Sequence, residues 1–170
     1  MRGKGIRASH RSMPDLSRQR EAGEMRELRI IIPGKPQPRQ AHLMSTRGGR
    51  VRKYLPPESV AYQKLVAACA LKALRLAGIG NGIAGPVEVS VHWIFLASNR
   101  LHKLDREAIE SGTRLPYTGR CDLDNLLKNL LDGLKRIAFE DDRFIQKLTC
   151  EKLQGKDPHT EVTIRSLEEK

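Results

Sequence analysis

The pattern of apolar positions predicts four strands and two main helices. Aliphatic and β-branched residues alternate or run together at residues 28–33, 87–96, 144–151 and 160–166, which is typical of strands. Apolar residues recur at helical spacing over residues 58–77 and again after Asp124, with Ser59 and Asp124 as the predicted N-caps. A short helix fits residues 104–110. Residues 87–96 become continuously apolar at their end, as central strands do. This order predicts a single α+β domain, with a mixed β-sheet packed against helices.

The apolar pattern is missing from residues 1–26 and from the segment after Gly34, and both segments are basic. Residues 1–26 have seven Lys/Arg against three Asp/Glu and no periodicity, so we expect a disordered tail before a folded domain at residues 27–170. Residues 28–57 carry seven Lys/Arg and no acid, and the part after Gly34 is interpreted as a loop. We expect this arm, together with an arginine beside a later acidic segment, to bind phosphates of an anionic partner. The residues are Lys35, Arg39, Arg47, Arg50, Arg52, Lys53 and Arg120.

Composition narrows the class of partner. The net charge of +11 and the pI near 10 indicate an acidic partner, with nucleic acid favoured over an anionic membrane. No apolar run approaches the ~20 residues of a membrane span, and the N-terminal residues have no secretory pattern. The three cysteines are widely spaced without a C-x-x-C motif, which favours a reducing cytoplasm over a zinc site or a disulfide framework.

Against this basic background, acids gather at both ends of the second helical pattern. Asp122 and Asp124 precede it, Lys128 follows Asp124 by one turn, and Asp141 and Asp142 come after it. Carboxylates in a basic protein suggest a metal site that faces a polyanion, if a short turn folds the second group back toward the first. The alternative is structural, because a lone Asp before a helix is often a cap and an acidic run is often a solvated turn.

The joint pattern D-x-D-N-L-x-K, helix, D-D-x-x-I resembles the RusA family of Holliday-junction endodeoxyribonucleases. The resemblance implies catalytic roles for Asp122, Asp124, Lys128 and Asp142, with the three aspartates as metal ligands and Asp141 as an alternative to Asp142. Cys121 departs from the family, which often has proline there.

The oxygen ligands favour Mg²⁺ as cofactor, with Mn²⁺ as a substitute, and the resemblance implies four-way DNA junctions as substrate. It also implies a homodimer and a bacterial or phage-encoded cytoplasmic protein. Two alternatives stay open: a nuclease for other branched DNA or RNA, and a nucleic-acid-binding protein without catalysis. Spacing does not decide between one metal ion and two.

Overall fold

The computed structural model describes residues 26–47 and 50–168; the predicted tail lies outside these residues except for Arg26. Residues predicted as strands and helices form those elements, with ends that shift by a few positions. The strands are β1 (Glu27–Pro33), β2 (Leu43–Arg47), β3 (Arg50–Tyr54), β4 (Val87–Leu96), β5 (Leu115–Pro116), β6 (Ile145–Gly155) and β7 (His159–Ser166). The helices are α1 (Pro57–Leu76), α2 (Lys103–Glu110) and α3 (Leu123–Leu134).

The main sheet has the strand order β1-β7-β4-β6-β5. β4 lies in its middle, antiparallel to β7 and parallel to β6, so the predicted central position of residues 87–96 is confirmed. β1 pairs antiparallel with β7 at one edge of the sheet. A mixed sheet with helices is the α+β architecture that the sequence predicted.

The core lies between one face of the sheet and the helices α1 and α3. Alternate residues of β1 and β4 point into it, because successive side chains of a strand point to opposite faces. The helices fill the space with residues three and four apart, which share one helical face. The fully buried side chains of this core include Ile30, Ile32, Val89, Trp93, Val66, Leu126, Leu130 and Leu134.

Gly133 lets α3 pack closely on α1, and we expect Gly133→Ala to lower stability. A Cβ at position 133 would lie 2.8 Å from Val66 Cβ and 3.0 Å from the Gln63 carbonyl oxygen. Overpacking of this kind costs about 1–3 kcal/mol, which exceeds the gain of about 1 kcal/mol in helix propensity. Thermal unfolding should show a lower Tm. Gly80→Ala, where the added Cβ meets nothing within 4 Å, is the control, and equal Tm values for the two variants would contradict the packing account.

The opposite face of the sheet is polar. Arg114 donates two hydrogen bonds, of 2.8 and 2.7 Å, to the Glu161 carboxylate on β7, and His159 lies 3.1 Å from the same group. The Arg114 guanidinium is the main cause that lowers the pKa of Glu161 to about 2. We interpret these charges as the solvated side of a one-faced sheet.

Two local predictions are wrong. The segment interpreted as a loop contains the hairpin β2–β3, which has few contacts with the rest of the domain and so lacks the apolar alternation of a core strand. Ser59, predicted to cap α1, lies inside its first turn, and its hydroxyl accepts a hydrogen bond from Gln40 N at 3.3 Å. In the described residues no helix is long and apolar enough to cross a membrane.

Candidate functional site

The first acidic group, Asp122 and Asp124, lies at the start of α3. Asp122 is the extended residue before the helix, whereas the sequence placed the cap at Asp124, which instead occupies the first turn. Asn125 Nδ2 lies 3.5 Å from Asp122 Oδ2, and Lys128 Nζ donates to Asp124 Oδ2 at 3.2 Å. Both side chains of the Lys128–Asp124 pair are more than half exposed, so this ion pair contributes little to stability and is open to a ligand. Negative charge at this end also suits the helix dipole.

The second acidic group, Asp141 and Asp142, follows a tight turn after α3. Lys135 Nζ lies 2.9 Å from Asp141 Oδ2 and 3.1 Å from Asp142 Oδ1, so one ammonium group bridges both carboxylates. The Lys135 ammonium group is the main cause that holds the pKa of Asp141 well below its usual range, and the hydrogen bond from the Arg143 amide is the second cause. Arg136 forms the turn with a φ of 65°, a left-handed conformation that is uncommon for a residue with a side chain.

The two groups lie at opposite ends of α3 within one chain. The helix has twelve residues, which corresponds to about 18 Å at 1.5 Å per residue. Strand β6 gives a second measure of the distance between the two groups. Near one end of this strand, Lys152 Nζ donates to the Cys121 carbonyl oxygen at 2.7 Å, and Asp142 lies just before Ile145 at the other end. From Ile145 to Lys152 a strand spans about 23 Å. The turn after the helix therefore leaves the second group at the far end instead of folding it back.

The chemistry of these residues fits a hard divalent cation. Each group offers two carboxylates, and Mg²⁺ commonly takes one or two carboxylates from a protein together with substrate phosphates and waters. The bridging Lys135 ammonium already places a positive charge between the oxygens of Asp141 and Asp142. Among residues 26–47 and 50–168, however, no three His, Cys, Asp or Glu side chains come close enough to hold one ion. Within the described part of one chain, the three predicted ligands therefore do not converge on one ion.

The basic arm begins beside the first acidic group. Asn129, fully buried on α3, donates to the Gln37 carbonyl at 3.0 Å and accepts from Gln63 Nε2 at 3.1 Å. The Arg39 amide donates to the Asn125 carbonyl at 2.8 Å, and its guanidinium lies 3.3 Å from Asp132 on α3. These contacts fix residues 37–39 along α3.

Beyond this anchor, the hairpin β2–β3 presents its side chains to solvent. All five residues of β3 are exposed. Because side chains alternate along a strand, Arg50, Arg52 and Tyr54 share one face, and Val51 and Lys53 share the other. Of the other predicted DNA-binding residues, Lys35 is exposed, Arg47 pairs with Arg50 in the hairpin register, and Arg120 is exposed two residues before Asp122.

Sequence reasoning missed three residues that organise these groups. Lys135 contacts the carboxylates of Asp141 and Asp142, and Lys152 donates to the Cys121 carbonyl oxygen. Neither contact follows from helical or strand periodicity, so the sequence does not mark these lysines. Asn129 had a weak signal, since an amide between Leu126 and Leu130 on the apolar face of a helix has to find buried partners. The hairpin also had a signal, because Gly48-Gly49 between two short runs is a two-residue turn pattern.

Fold and charge together define a basic α+β protein with an acidic group at each end of α3 and a cationic hairpin. The model of the endodeoxyribonuclease RusA family matches residues 33–165. This match covers most of the chain, and the chain belongs to that family. A curated relative, the uncharacterized protein YqaN of Bacillus subtilis strain 168, is 29% identical over 142 residues, which are 82% of this chain and 96% of the relative.

Proposed function

We propose that this protein is a metal-dependent endonuclease that cuts DNA four-way junctions by paired nicks, in recombination and repair. The observation that carries the proposal is the pair of exposed acidic groups at the ends of α3, each in contact with a lysine, in a chain of the RusA family. A binding protein without catalysis would gain nothing from carboxylates that face phosphates.

Asp122, Asp124 and Asp142 are the residues that would hold Mg²⁺ or Mn²⁺, with Asp141 as the alternative to Asp142. When bound, such an ion supplies a water activated near neutral pH and neutralises charge on the scissile phosphate. The chain's own residues position the reaction. Lys128 orients the Asp124 carboxylate and meets negative charge that develops on the phosphate. Lys135 holds the two carboxylates of the second group close together, and its ammonium group lowers the pKa of Asp141.

The separation of the acidic groups supports a homodimer with shared sites. Within one chain about 18 Å of helix lies between Asp124 and Asp142, and no three ligands converge in the described residues. A two-fold axis would place the first group of each subunit beside the second group of the other. Such a dimer carries two equivalent sites, as paired nicks on opposed strands require. We also propose a cytoplasmic location, with which the three free cysteines agree.

A nicking assay tests the proposal. A four-way junction and a duplex of the same sequence, each labelled at one 5′ end, are incubated with protein in Mg²⁺ and in EDTA. We expect nicks in the junction only, and only with metal. Cleavage of other branched DNA or of RNA at an equal rate would favour the broader nuclease alternative. Junction binding without any nick under either condition would favour the non-catalytic alternative.

The hairpin should supply much of the salt dependence of binding. If the arm neutralises about four to six phosphates, log K falls with log salt at a slope of roughly −4 to −5. Replacing Arg47, Arg50 and Arg52 by Ala should flatten this slope by about two to three, since each lost phosphate contact removes about one unit. Fluorescence anisotropy with labelled junction, between low and moderate salt, measures the slope. An unchanged slope would mean that the hairpin does not contact phosphates.

A further inference from the structure

The outer face of α1 is exposed and takes no part in the proposed nuclease site. The helix turns its apolar side into the core. On the opposite side, Lys64, Ala68, Leu71 and Arg75 follow one another at spacings of four, three and four residues, so they form one exposed stripe. Leu71 is 47% exposed. The stripe therefore presents apolar and cationic side chains to solvent together.

A cavity of about 270 Å³ lies at the C-terminal end of this stripe. It is lined by Leu71, Leu74, Arg75, Gly78, Ile79 and Gly80. The turn after the helix holds this shape, because the Ile79 amide donates to the Leu74 carbonyl at 2.9 Å and Gly78 has a φ of 66°. An apolar cavity of about 150 Å³ holds a benzene ring. The cavity of α1 therefore has room for the side chain of a leucine or a phenylalanine.

After its first turn, α1 carries only positive charge. Residues 59–87 contain Lys64, Lys72 and Arg75 but no aspartate or glutamate. Within the described residues none of these three cations belongs to an ion pair, whereas Lys128 and Lys147 on other elements each contact a carboxylate. A ligand with carboxylates is therefore attracted by cations that no contacting acid already neutralises.

We propose that this surface binds a short acidic segment of another protein, with one leucine or phenylalanine of that segment in the cavity. Carboxylates of the segment then contact Arg75 at the cavity and Lys64 farther along the stripe. The helix rises about 17 Å between these two cations, a distance that about five extended residues span. Clusters of basic side chains recognise acidic motifs in this way. The inference does not depend on nuclease activity.

Other occupants fit this surface less well. Phosphates of DNA would meet the exposed Leu71 and would leave the apolar cavity unfilled. A second copy of the chain, joined through the same face, would set the cations of the two helices against each other. A membrane-surface helix inserts its apolar side into the lipid, but the apolar side of α1 is buried in the core and its exposed leucines lie among lysines and an arginine.

Peptide binding to the full-length protein tests the proposal. The probe is a fluorescein-labelled peptide of five aspartates followed by one phenylalanine, and its anisotropy is followed at moderate salt, where attraction by net charge alone is screened. We expect saturable binding. The same peptide with alanine in place of phenylalanine should bind at least about tenfold more weakly, since it cannot fill the cavity.

Variants of the protein locate the binding surface. Arg75→Glu should lower the affinity for the phenylalanine peptide at least about tenfold, because it replaces an attractive charge at the cavity by a repulsive one. Arg106→Glu, at an exposed arginine of α2, is the matched control with the same change in net charge and should bind the peptide normally. A melting curve checks folding, and Lys64→Glu replaces Arg75→Glu if that variant unfolds.

Junction DNA and lipid vesicles are the comparison ligands. Arg75→Glu should bind a four-way junction within about twofold of wild type, since this face makes no phosphate contact in our proposal. Vesicles of phosphatidylcholine with about 30% phosphatidylserine should not bind through this face. A parallel loss of junction and peptide binding in Arg75→Glu would identify a DNA surface, and vesicle binding that Arg75→Glu abolishes would identify a membrane surface; either result would overturn the proposal.

Two further results would also overturn it. Equal affinity for the phenylalanine and alanine peptides would show that the cavity takes no side chain. Equal losses in Arg75→Glu and Arg106→Glu would show that the peptide responds only to net charge. None of these measurements requires nicking, so the peptide site and the proposed nuclease function stand or fall separately.

Discussion

Asp124→Asn and Asp142→Asn should each lower junction cleavage on the order of a hundredfold or more, while junction binding in EDTA stays intact or becomes tighter. Asn preserves the size of the side chain but removes the charge that attracts a divalent cation. Without metal, each wild-type carboxylate repels the approaching phosphates, so losing one carboxylate favours binding. Nicking in Mg²⁺ and binding in EDTA measure the two effects separately.

The fold should survive both substitutions. The Asp124 and Asp142 side chains are 64% and 56% exposed, and their partners Lys128 and Lys135 belong to exposed or half-exposed ion pairs. Pairs of this kind contribute about 0–1 kcal/mol, so melting curves should change little. Asp157→Asn, at an exposed carboxylate in the turn between β6 and β7, is the matched control and should nick normally.

Lys128→Ala should behave differently from the aspartate variants. It removes a cation, so it should lose cleavage together with part of the affinity for the junction. If Asp124→Asn still nicks at more than about a tenth of the wild-type rate, the assignment of Asp124 as a metal ligand would be wrong, since loss of a ligand should remove most of the activation that the ion supplies. A parallel loss of stability, binding and cleavage would instead indicate that the acids are caps and turn formers.

The strands and helices of the core were predictable because they depend on local periodicity. The alternation at residues 87–96 predicts a strand with one buried face, and β4 is that strand. The helical spacing after Asp124 predicts a helix with one buried face, and α3 is that helix. The hairpin was missed because β2 and β3 bury no face, so their strand pairing leaves no apolar alternation in the sequence.

The candidate site was only partly predictable for a related reason. The motif predicted a set of candidate acids, and helical spacing predicted that Lys128 lies beside Asp124, which the structure shows. It did not predict the distance between the acidic groups, because that depends on where α3 ends and on a turn at Arg136 with a positive φ. Contacts such as Asp132 with Arg39 join segments far apart in the sequence, and no periodicity encodes them.

We also expect that a mixed dimer of two inactive chains regains nicking activity. Asp124→Asn and Asp142→Asn chains are co-expressed with different affinity tags, and the dimer that carries both tags is purified. If each site takes its first acidic group from one subunit and its second from the other, one of the two sites in this dimer has no substitution. Nicking should then return to about half of the wild-type rate, without paired cuts.

A dimer of Asp122→Asn with Asp124→Asn chains is the control for the same measurement. Both substitutions fall in the first acidic group, so each site carries one of them and the dimer should stay inactive. The nicking rate of the Asp124→Asn/Asp142→Asn dimer on a four-way junction in Mg²⁺ therefore tests the central claim most directly. We predict about half of the wild-type rate, which one intact site out of two supplies; a rate no higher than that of either parent homodimer would contradict a metal site shared between two chains.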